Sequence, residues 1–101
     1  MKGVYKMTTK IIFDETSSSW ELNFEFNKLF AKSQLMFIRD IYKVRGYMYL
    51  STIYENFGLI WNPYNENVSW IYERDGELDL SIQYDEKSHN QIIIEILCNS
   101  K

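Results

Sequence analysis

Three acidic side chains at alternate positions form a group of potential metal ligands. Asp75, Glu77 and Asp79 are each two residues apart, so their carboxylates would share one face of a β-strand. Carboxylate oxygens are the ligands that Ca²⁺ and Mg²⁺ prefer. The spacing does not match an EF-hand loop, and acidic side chains also keep an exposed hairpin soluble. We therefore expect a solvated acidic face and no bound metal.

The other side chains that commonly carry catalysis are one histidine and one cysteine. His89 lies in the polar segment DEKSHN, which is typical of a turn and offers a general base neither a pocket nor an orienting partner. Cys98 continues the alternating apolar positions of Ile92, Ile94 and Ile96, which indicates a small buried hydrophobe. The four glycines are isolated and form no phosphate-binding loop. We predict no catalytic residues, no cofactor and no enzymatic activity.

Basic side chains are concentrated in the first half of the chain. Residues 1–46 contain eight basic and five acidic side chains, whereas residues 47–101 contain three basic and nine acidic ones. Nucleic-acid binding depends largely on basic surface, so the second half would repel a phosphate backbone. Because a solvated helix face shows the same pattern, nucleic-acid binding is kept only as an alternative. The candidate basic face consists of Lys32, Arg39, Lys43 and Arg45, with Lys28 beside them.

Aromatic residues are abundant, at 17% of the chain, and they occur where a loop is expected. The segment at residues 59–67 reads LIWNPYNEN, in which asparagines and a proline indicate an irregular connector. Tyrosine and tryptophan anchor interfaces because they bring large contact area at small entropic cost. The candidate protein-interface residues are Trp61, Tyr64, Tyr47 and Tyr49. The alternatives are that they belong to the core, or stack on a ligand or nucleic acid.

The length of 101 residues fits one domain. We predict a single domain over residues 9–101, preceded by a flexible leader over residues 1–8. A single cysteine excludes an internal disulfide, and this fits a reducing compartment. The chain shows no apolar run typical of a signal peptide or a membrane span. We therefore expect a cytoplasmic protein without membrane association.

Two segments are predicted to be helical. Lys28–Arg45 has apolar residues at steps of three and four, and Gly46 follows as a natural stop. A second, short helix is predicted over about residues 52–57, because Thr52 and Glu55 have the spacing of a capping box. The apolar face of the first helix that we expect to be buried consists of Leu35, Ile38, Ile41 or Tyr42, and Val44.

Strands are predicted in the remainder. Trp20–Asn27 alternates between apolar and polar residues, which predicts a half-buried strand that could pair with residues 10–14. The alternative is that Trp20–Asn27 begins the long helix. The Asp75-Gly76 pair predicts a hairpin turn, and the apolar run after residue 90 predicts a central strand. The other predicted strands are Lys10–Asp14, Tyr47–Leu50, Val68–Arg74, Glu77–Tyr84 and Gln91–Cys98.

Several residues between positions 46 and 76 form a recognisable pattern. They are Gly46-Tyr47, Leu50, Tyr54, Gly58-Leu59, Trp61, Ser69-Trp70-Ile71-Tyr72 and Asp75-Gly76. This pattern resembles small uncharacterised proteins, with a domain of unknown function, of Gram-positive phages, prophages and mobile elements. The resemblance covers about residues 36–84, and Ser69 departs from it by standing where glycine is more frequent. The resemblance implies an origin and a fold, and no site.

The sequence thus predicts an α+β domain. We expect an antiparallel sheet of four to five strands, one main helix at about 28–45 packed on one face, and a short helix at about 52–57. The predicted function is a non-catalytic protein-interaction module with an unidentified protein partner. The alternatives are a nucleic-acid-associated accessory protein and a small-ligand binder or enzyme. A homodimer formed through an open edge strand is a further hypothesis.

Overall fold

The computed structural model describes residues 5–100, and the side chains of residues 8–98. The elements in chain order are β1 (Tyr5–Asp14), α1 (Phe24–Arg45), β2 (Tyr47–Tyr49), α2 (Leu50–Asn56), β3 (Ser69–Ile71), α3 (Tyr72–Asp75), β4 (Leu78–Gln83) and β5 (Gln91–Ser100). The α+β class with one long helix is confirmed. The strands do not form one sheet, however, since three belong to one antiparallel sheet and two to another.

The larger sheet has the order β1-β5-β4, and β5 is its central strand, as predicted. β5 pairs along its whole length with β1, from Tyr5↔Ser100 to Asp14↔Gln91. On its other edge it pairs with β4, from Leu78↔Cys98 to Gln83↔Ile93. The side chains on one face of β5 are buried and those on the other face are half-buried, which suits its apolar sequence. Of the predicted leader, residues 5–8 belong to β1, and residues 1–4 lie outside the described residues.

Helix α1 begins at Phe24, so the predicted strand at residues 20–27 is wrong and the helical alternative is correct from Phe24 onward. Asn23 caps the helix, and its Oδ1 accepts a hydrogen bond from the Phe26 N–H at 3.1 Å. Leu22 is fully exposed, so the alternating apolar residues do not share a buried face. The strand partner predicted for residues 10–14 is also wrong, because that segment pairs with β5.

The C-terminus of α1 is as predicted. Gly46 has a φ of 86°, a left-handed conformation that glycine adopts without strain, and its N–H donates to the Tyr42 carbonyl at 2.8 Å. Val44 was expected on the buried face but is exposed. It follows the buried Tyr42 by two residues, which is about 200° around the helix, and therefore points away from the core. The buried residues of α1 are Asn27, Ala31, Leu35, Ile38 and Tyr42.

Helix α2 begins at Leu50, before the predicted start, and lacks the predicted capping box. Its first amides are satisfied by a distant segment instead. The Leu50 N–H donates to the Val68 carbonyl at 2.8 Å, and the Ser51 N–H donates to Asn67 Oδ1 at 3.1 Å. These tertiary partners make a local side-chain cap unnecessary. The helix ends before Gly58, which has a φ of 65°.

The predicted hairpin at Asp75-Gly76 is wrong. β3 pairs with β2, from Tyr47↔Ile71 to Tyr49↔Ser69, and the chain then turns through α3. The Gly76 N–H donates to the Tyr72 carbonyl at 2.8 Å, which closes a helical turn instead of a two-residue hairpin. Asp75 Oδ2 also accepts a hydrogen bond from the Ile71 N–H at 2.8 Å. A single core cluster nevertheless connects the two sheets and the helices, and it includes Met48, Trp70, Phe57 and Ile94.

Candidate functional site

The structure separates the three acidic residues that could have bound a cation. Asp75 lies in α3, whereas Asp79 lies in β4, so the predicted shared face is wrong. Arg74 hydrogen-bonds to Asp75 and holds the pKa of that carboxyl below its usual value, although burial opposes the shift. Glu77 instead contacts Lys43. Within residues 8–98, no three histidine, cysteine or acidic side chains gather as metal ligands.

His89 and Cys98 occupy the environments predicted for them. His89 is exposed between β4 and β5, and its ring stacks on Phe24 with the centroids 4.3 Å apart. Cys98 is buried in β5, and this burial raises the pKa of its thiol. A buried thiol with a raised pKa is a poor nucleophile at neutral pH. Both residues therefore have a structural explanation.

The four aromatic candidates lie in different environments. Tyr47 and Tyr49 project from the exposed face of β2, with their ring centroids 5.7 Å apart. Trp61 is half-buried and packs edge-on against Tyr54 at 5.1 Å. Tyr64 is 94% exposed in the connector. Among the described residues, no aromatic pair links Trp61 or Tyr64 to the two tyrosines of β2.

The exposed face of the two-stranded sheet, formed by β2 and β3, includes one apolar residue that the sequence did not single out. Ile71 of β3 lies opposite Tyr47 and is itself exposed. Directly opposite residues on an antiparallel pair point to the same face. Tyr47, Tyr49 and Ile71 together form what we call the aromatic face.

The predicted basic face is only partly continuous. Lys32, Arg39 and Lys43 follow the helical period and lie on one side of α1, as does Lys28. Arg45 follows Lys43 by two residues, which is about 200° around the helix, so it projects from a different side of α1.

Two of these cations are already paired with carboxylates. Lys28 Nζ lies 3.0 Å from Glu25 Oε1, and Lys43 Nζ lies 2.7 Å from Glu77 Oε1. The hydrogen bond from Lys43 lowers the pKa of the Glu77 carboxyl. Among the side chains of residues 8–98, none forms an ion pair with Lys32 or Arg39. On this side of α1, Lys32 and Arg39 are therefore the cations that no ion pair neutralises, although the charge of Arg39 also helps to lower the pKa of the Glu77 carboxyl.

The outward side of α1 carries a row of apolar side chains that the sequence reading missed. We call this row the apolar stripe, and its residues are Phe26, Leu29, Met36, Phe37 and Val44. They are between 47% and 83% exposed. By helical geometry they lie opposite the buried residues Ala31, Leu35 and Ile38. The sequence did contain a signal for this stripe, because α1 has a second set of apolar residues at helical spacing. One sheet cannot bury both this set and the set that faces the core.

A groove runs between α1 and the outer edge of β4, next to the apolar stripe. Its volume is about 280 Å³. Apolar side chains form most of the lining, whereas Lys32 and Arg39 supply positive charge. Near Glu77 the space between α1 and β4 narrows to a cavity of about 10 Å³, beside the Lys43–Glu77 ion pair. The lining residues are Lys32, Leu35, Met36, Arg39, Leu80, Ser81 and Ile82.

A second groove lies at the opposite edge of the sheet, with a volume of about 330 Å³. It is lined by Lys10 and Ile12 of β1 and by Tyr54, Leu59 and Ile60. Its only cation, Lys10, lies 3.9 Å from Glu95, so it offers less free charge than the groove beside β4.

Comparisons of the chain with protein-family models, with curated proteins and with solved structures found no match. The resemblance to phage and mobile-element proteins therefore stays a prediction. In the part of the chain that the structure describes, no helix has the length and apolar content needed to cross a bilayer.

Proposed function

We propose that the protein is a non-catalytic protein-interaction module that binds its partner through the outward side of α1. The observation that carries the proposal is the apolar stripe. A helix rises about 1.5 Å per residue, so the stripe from Phe26 to Val44 is about 27 Å long. Monomeric proteins rarely leave contiguous apolar patches of more than a few hundred Å² in water, and larger patches mark interaction sites.

The burial pattern supports a partner for α1 over a solvated helix. A helix that only covers a sheet has one apolar side, and its other side is charged or polar. In α1, Leu29, Met36 and Phe37 face away from the sheet. Lys32 and Arg39 lie beside them, and the exposed polar residues Ser33 and Asp40 interrupt the apolar surface on the same side of the helix.

The environments of the side chains that could act in catalysis also favour a binding function over an enzymatic one. His89 stacks on Phe24, Cys98 is buried, and Glu77 is engaged by Lys43. Each of these potential catalytic groups is thus either buried or already in contact with another side chain. The cytoplasmic location and the phage or mobile-element origin belong to the same proposal, and they rest on the single cysteine and on the resemblance over residues 36–84.

Affinity capture from a bacterial lysate, with quantification by mass spectrometry, tests the proposal. The baits are the wild-type chain, a stripe variant with Leu29→Ser, Met36→Ser and Phe37→Ser, and an aromatic-face variant with Tyr47→Ser and Tyr49→Ser. A matched control replaces the exposed apolar residues Leu22 and Ile60 by serine. Circular dichroism establishes that every bait is folded.

We expect a protein that the wild-type chain and the control retain equally. The stripe variant should bind it about a hundredfold less tightly, because three lost apolar anchors of about 1 kcal/mol each add up to about 3 kcal/mol. Loss with the aromatic-face variant alone would assign binding to Tyr47 and Tyr49 instead. If folded wild-type bait retains nothing above the background, the protein-binding function is contradicted.

A further inference from the structure

We propose that the groove between α1 and β4 binds an extended peptide segment, in which an apolar side chain is flanked by two acidic ones. This inference deepens the proposed function and rests on it, since it names the class of partner that the α1 side of the molecule recognises. The segment would add a strand to the free edge of β4. Three features of the groove carry the argument: the strand edge, the apolar lining and the two unpaired cations.

The edge of β4 that faces the groove is available for pairing. β4 pairs with β5 on one side, and within residues 5–100 no strand pairs with its other side. Alternate N–H and C=O groups of an edge strand point away from the sheet and can pair with an incoming chain. Leu80, Ser81 and Ile82 are consecutive residues that all line the groove, so the groove follows the strand itself.

The lining of the groove suits one apolar side chain of a longer segment. Leu35, Met36, Leu80 and Ile82 contribute apolar surface from both walls. Pockets that enclose a small molecule usually measure about 300–1,000 Å³ and cover most of its surface. This groove is about 280 Å³ and lies open along a strand. It therefore accommodates part of a chain better than it encloses a free ligand.

The two unpaired cations set the charge and the spacing of the segment. Lys32 and Arg39 are seven positions apart, which is about 10.5 Å along a helix. In an extended chain, side chains four residues apart share a face at a distance of about 13 Å. Lysine and arginine side chains are long enough to cover this difference. Acidic residues at positions i and i+4 would thus meet the two cations, and the residue at i+2 would enter the apolar lining.

The charges at the narrow end confine the segment to one stretch of the strand. Lys43 is held by Glu77, so it does not compete for the acidic residues of the peptide. Glu77 would itself repel an acidic side chain placed next to it. The favourable position is the wider part of the groove, opposite Leu80–Ile82. A polyanion such as a nucleic acid is a poorer fit, because it would meet two free cations together with the carboxylates of Glu77 and Asp79.

Titration of defined peptides against the full chain, followed by heteronuclear NMR, tests the inference. The probes have the form acetyl-Thr-Glu-Thr-Xaa-Thr-Glu-Thr-amide, with leucine, valine or phenylalanine at Xaa. Control peptides carry glutamine in place of both glutamates, or threonine at Xaa. Decanoate and a short single-stranded DNA serve as anionic probes of other chemistry. Amide hydrogen exchange of residues 78–83 reports strand addition.

We expect binding of the acidic apolar peptides, with slower exchange at alternate amides of β4. Lys32→Gln with Arg39→Gln should weaken this binding by about fivefold to tenfold, because each cation loses an exposed, charge-assisted contact with a glutamate of the peptide. The matched control, Arg45→Gln with Lys87→Gln, removes the same charge elsewhere and should bind as the wild type does. Thermal unfolding confirms that both variants are folded.

Three results would overturn the inference. The first is that no acidic probe binds at a concentration of about 1 mM. The second is that the variant with Lys32→Gln and Arg39→Gln binds the peptides as tightly as the wild type does. The third is that decanoate or DNA binds more tightly than every peptide. None of them contradicts the wider function, which depends on capture of a protein through the apolar stripe. Failure of that capture, with peptide binding intact, would instead show that the groove acts without the stripe.

Discussion

The side-chain amide of Asn27 hydrogen-bonds to both backbone polar groups of Glu21. Its Nδ2 donates to the Glu21 carbonyl at 2.8 Å, and its Oδ1 accepts from the Glu21 N–H at 2.9 Å. Asn27 is completely buried at the end of the first turn of α1. The two bonds satisfy a buried amide and attach the connector before α1 to the helix, which explains a polar residue in the core.

Asn27→Ala should therefore destabilise the protein strongly. The substitution removes two hydrogen bonds and leaves the N–H and C=O of Glu21 without partners, which costs about 2–4 kcal/mol in total. Urea unfolding followed by tryptophan fluorescence measures the loss. Asn65→Ala, in the exposed connector, is the control and should change the free energy of unfolding by less than about 0.5 kcal/mol. Equal effects of the two substitutions would contradict the role assigned to Asn27.

Gly58→Ala should be more damaging than Gly46→Ala. Both glycines have a positive φ, so alanine at either position adds about 1–2 kcal/mol of backbone strain. Only at Gly58 would the new Cβ also meet other atoms, the Oγ atoms of Ser17, Ser18 and Ser19 at 2.7–2.9 Å. Nothing lies within 4 Å of the corresponding position at Gly46.

We expect this crowding to add about 1–3 kcal/mol to the loss at Gly58. Thermal and urea unfolding of the two variants, measured side by side, gives the difference. If both variants lose the same stability, the serine segment yields to the added methyl group and the predicted crowding is absent.

Tyr42 should make the stability depend on pH in the alkaline range. Its hydroxyl donates to the Gly76 carbonyl at 2.7 Å, and burial, assisted by the negative charge of Asp75, raises the pKa of Tyr42 to about 12. The folded state thus holds this proton more tightly than the unfolded state, where the pKa is 10.0. The resulting stability is present below pH 10 and is lost as the pH rises towards 12.

Tyr42→Phe should remove part of this alkaline loss, and at neutral pH it should cost about 0.5–1.5 kcal/mol because the Gly76 carbonyl loses its donor. Urea unfolding at neutral pH and at several values above pH 9 measures both effects. Tyr64→Phe, at an exposed site, is the control and should keep the wild-type pH dependence. An unchanged alkaline slope in the Tyr42 variant would contradict the assignment.

The Lys43–Glu77 ion pair should contribute little to stability, although it joins α1 to the residue before β4. Both side chains are substantially exposed, and exposed pairs contribute about 0–1 kcal/mol. Because the pKa of Glu77 is lowered in the folded state, this small contribution is present above the unfolded value of 4.5 and is lost as the pH falls below it.

Unfolding of Glu77→Gln with and without 1 M salt, a concentration that shortens the screening length to about 3 Å, checks this expectation. We predict a loss below about 1 kcal/mol at low salt that largely disappears at high salt. A loss of several kcal/mol that persists at high salt would mean that the pair determines the packing of α1 on β4.

Features with a local cause could be predicted from the sequence. The stops at Gly46 and Gly58 follow from glycine's access to positive φ. The central position of β5 follows from its apolar run, and the burial of Cys98 follows from alternation within that run. In each case, the residues that decide the outcome lie within a few positions of the feature.

Where the residue pattern allowed two local solutions, the contacts made in the folded chain decided between them. Period-two alternation suggested a strand at residues 20–27, but the cap at Asn23 and the contact of Asn27 with Glu21 favour a helix from Phe24. The Asp75-Gly76 pair suggested a hairpin, but Asp75 instead accepts a hydrogen bond from the Ile71 N–H, and β3 pairs with β2.

The sequence by itself determined where the cations, aromatics and apolar positions lie along each element. It identified Lys32 and Arg39 as basic helix residues, and Tyr47 and Tyr49 as candidates for an interface. Only the tertiary structure decided which of them remain free. Glu77 is distant in sequence from Lys43 and pairs with it, and the sheet covers one apolar side of α1 while the other stays exposed. The physical reason is that helical period and caps are local, whereas charge pairing and burial depend on which surfaces meet.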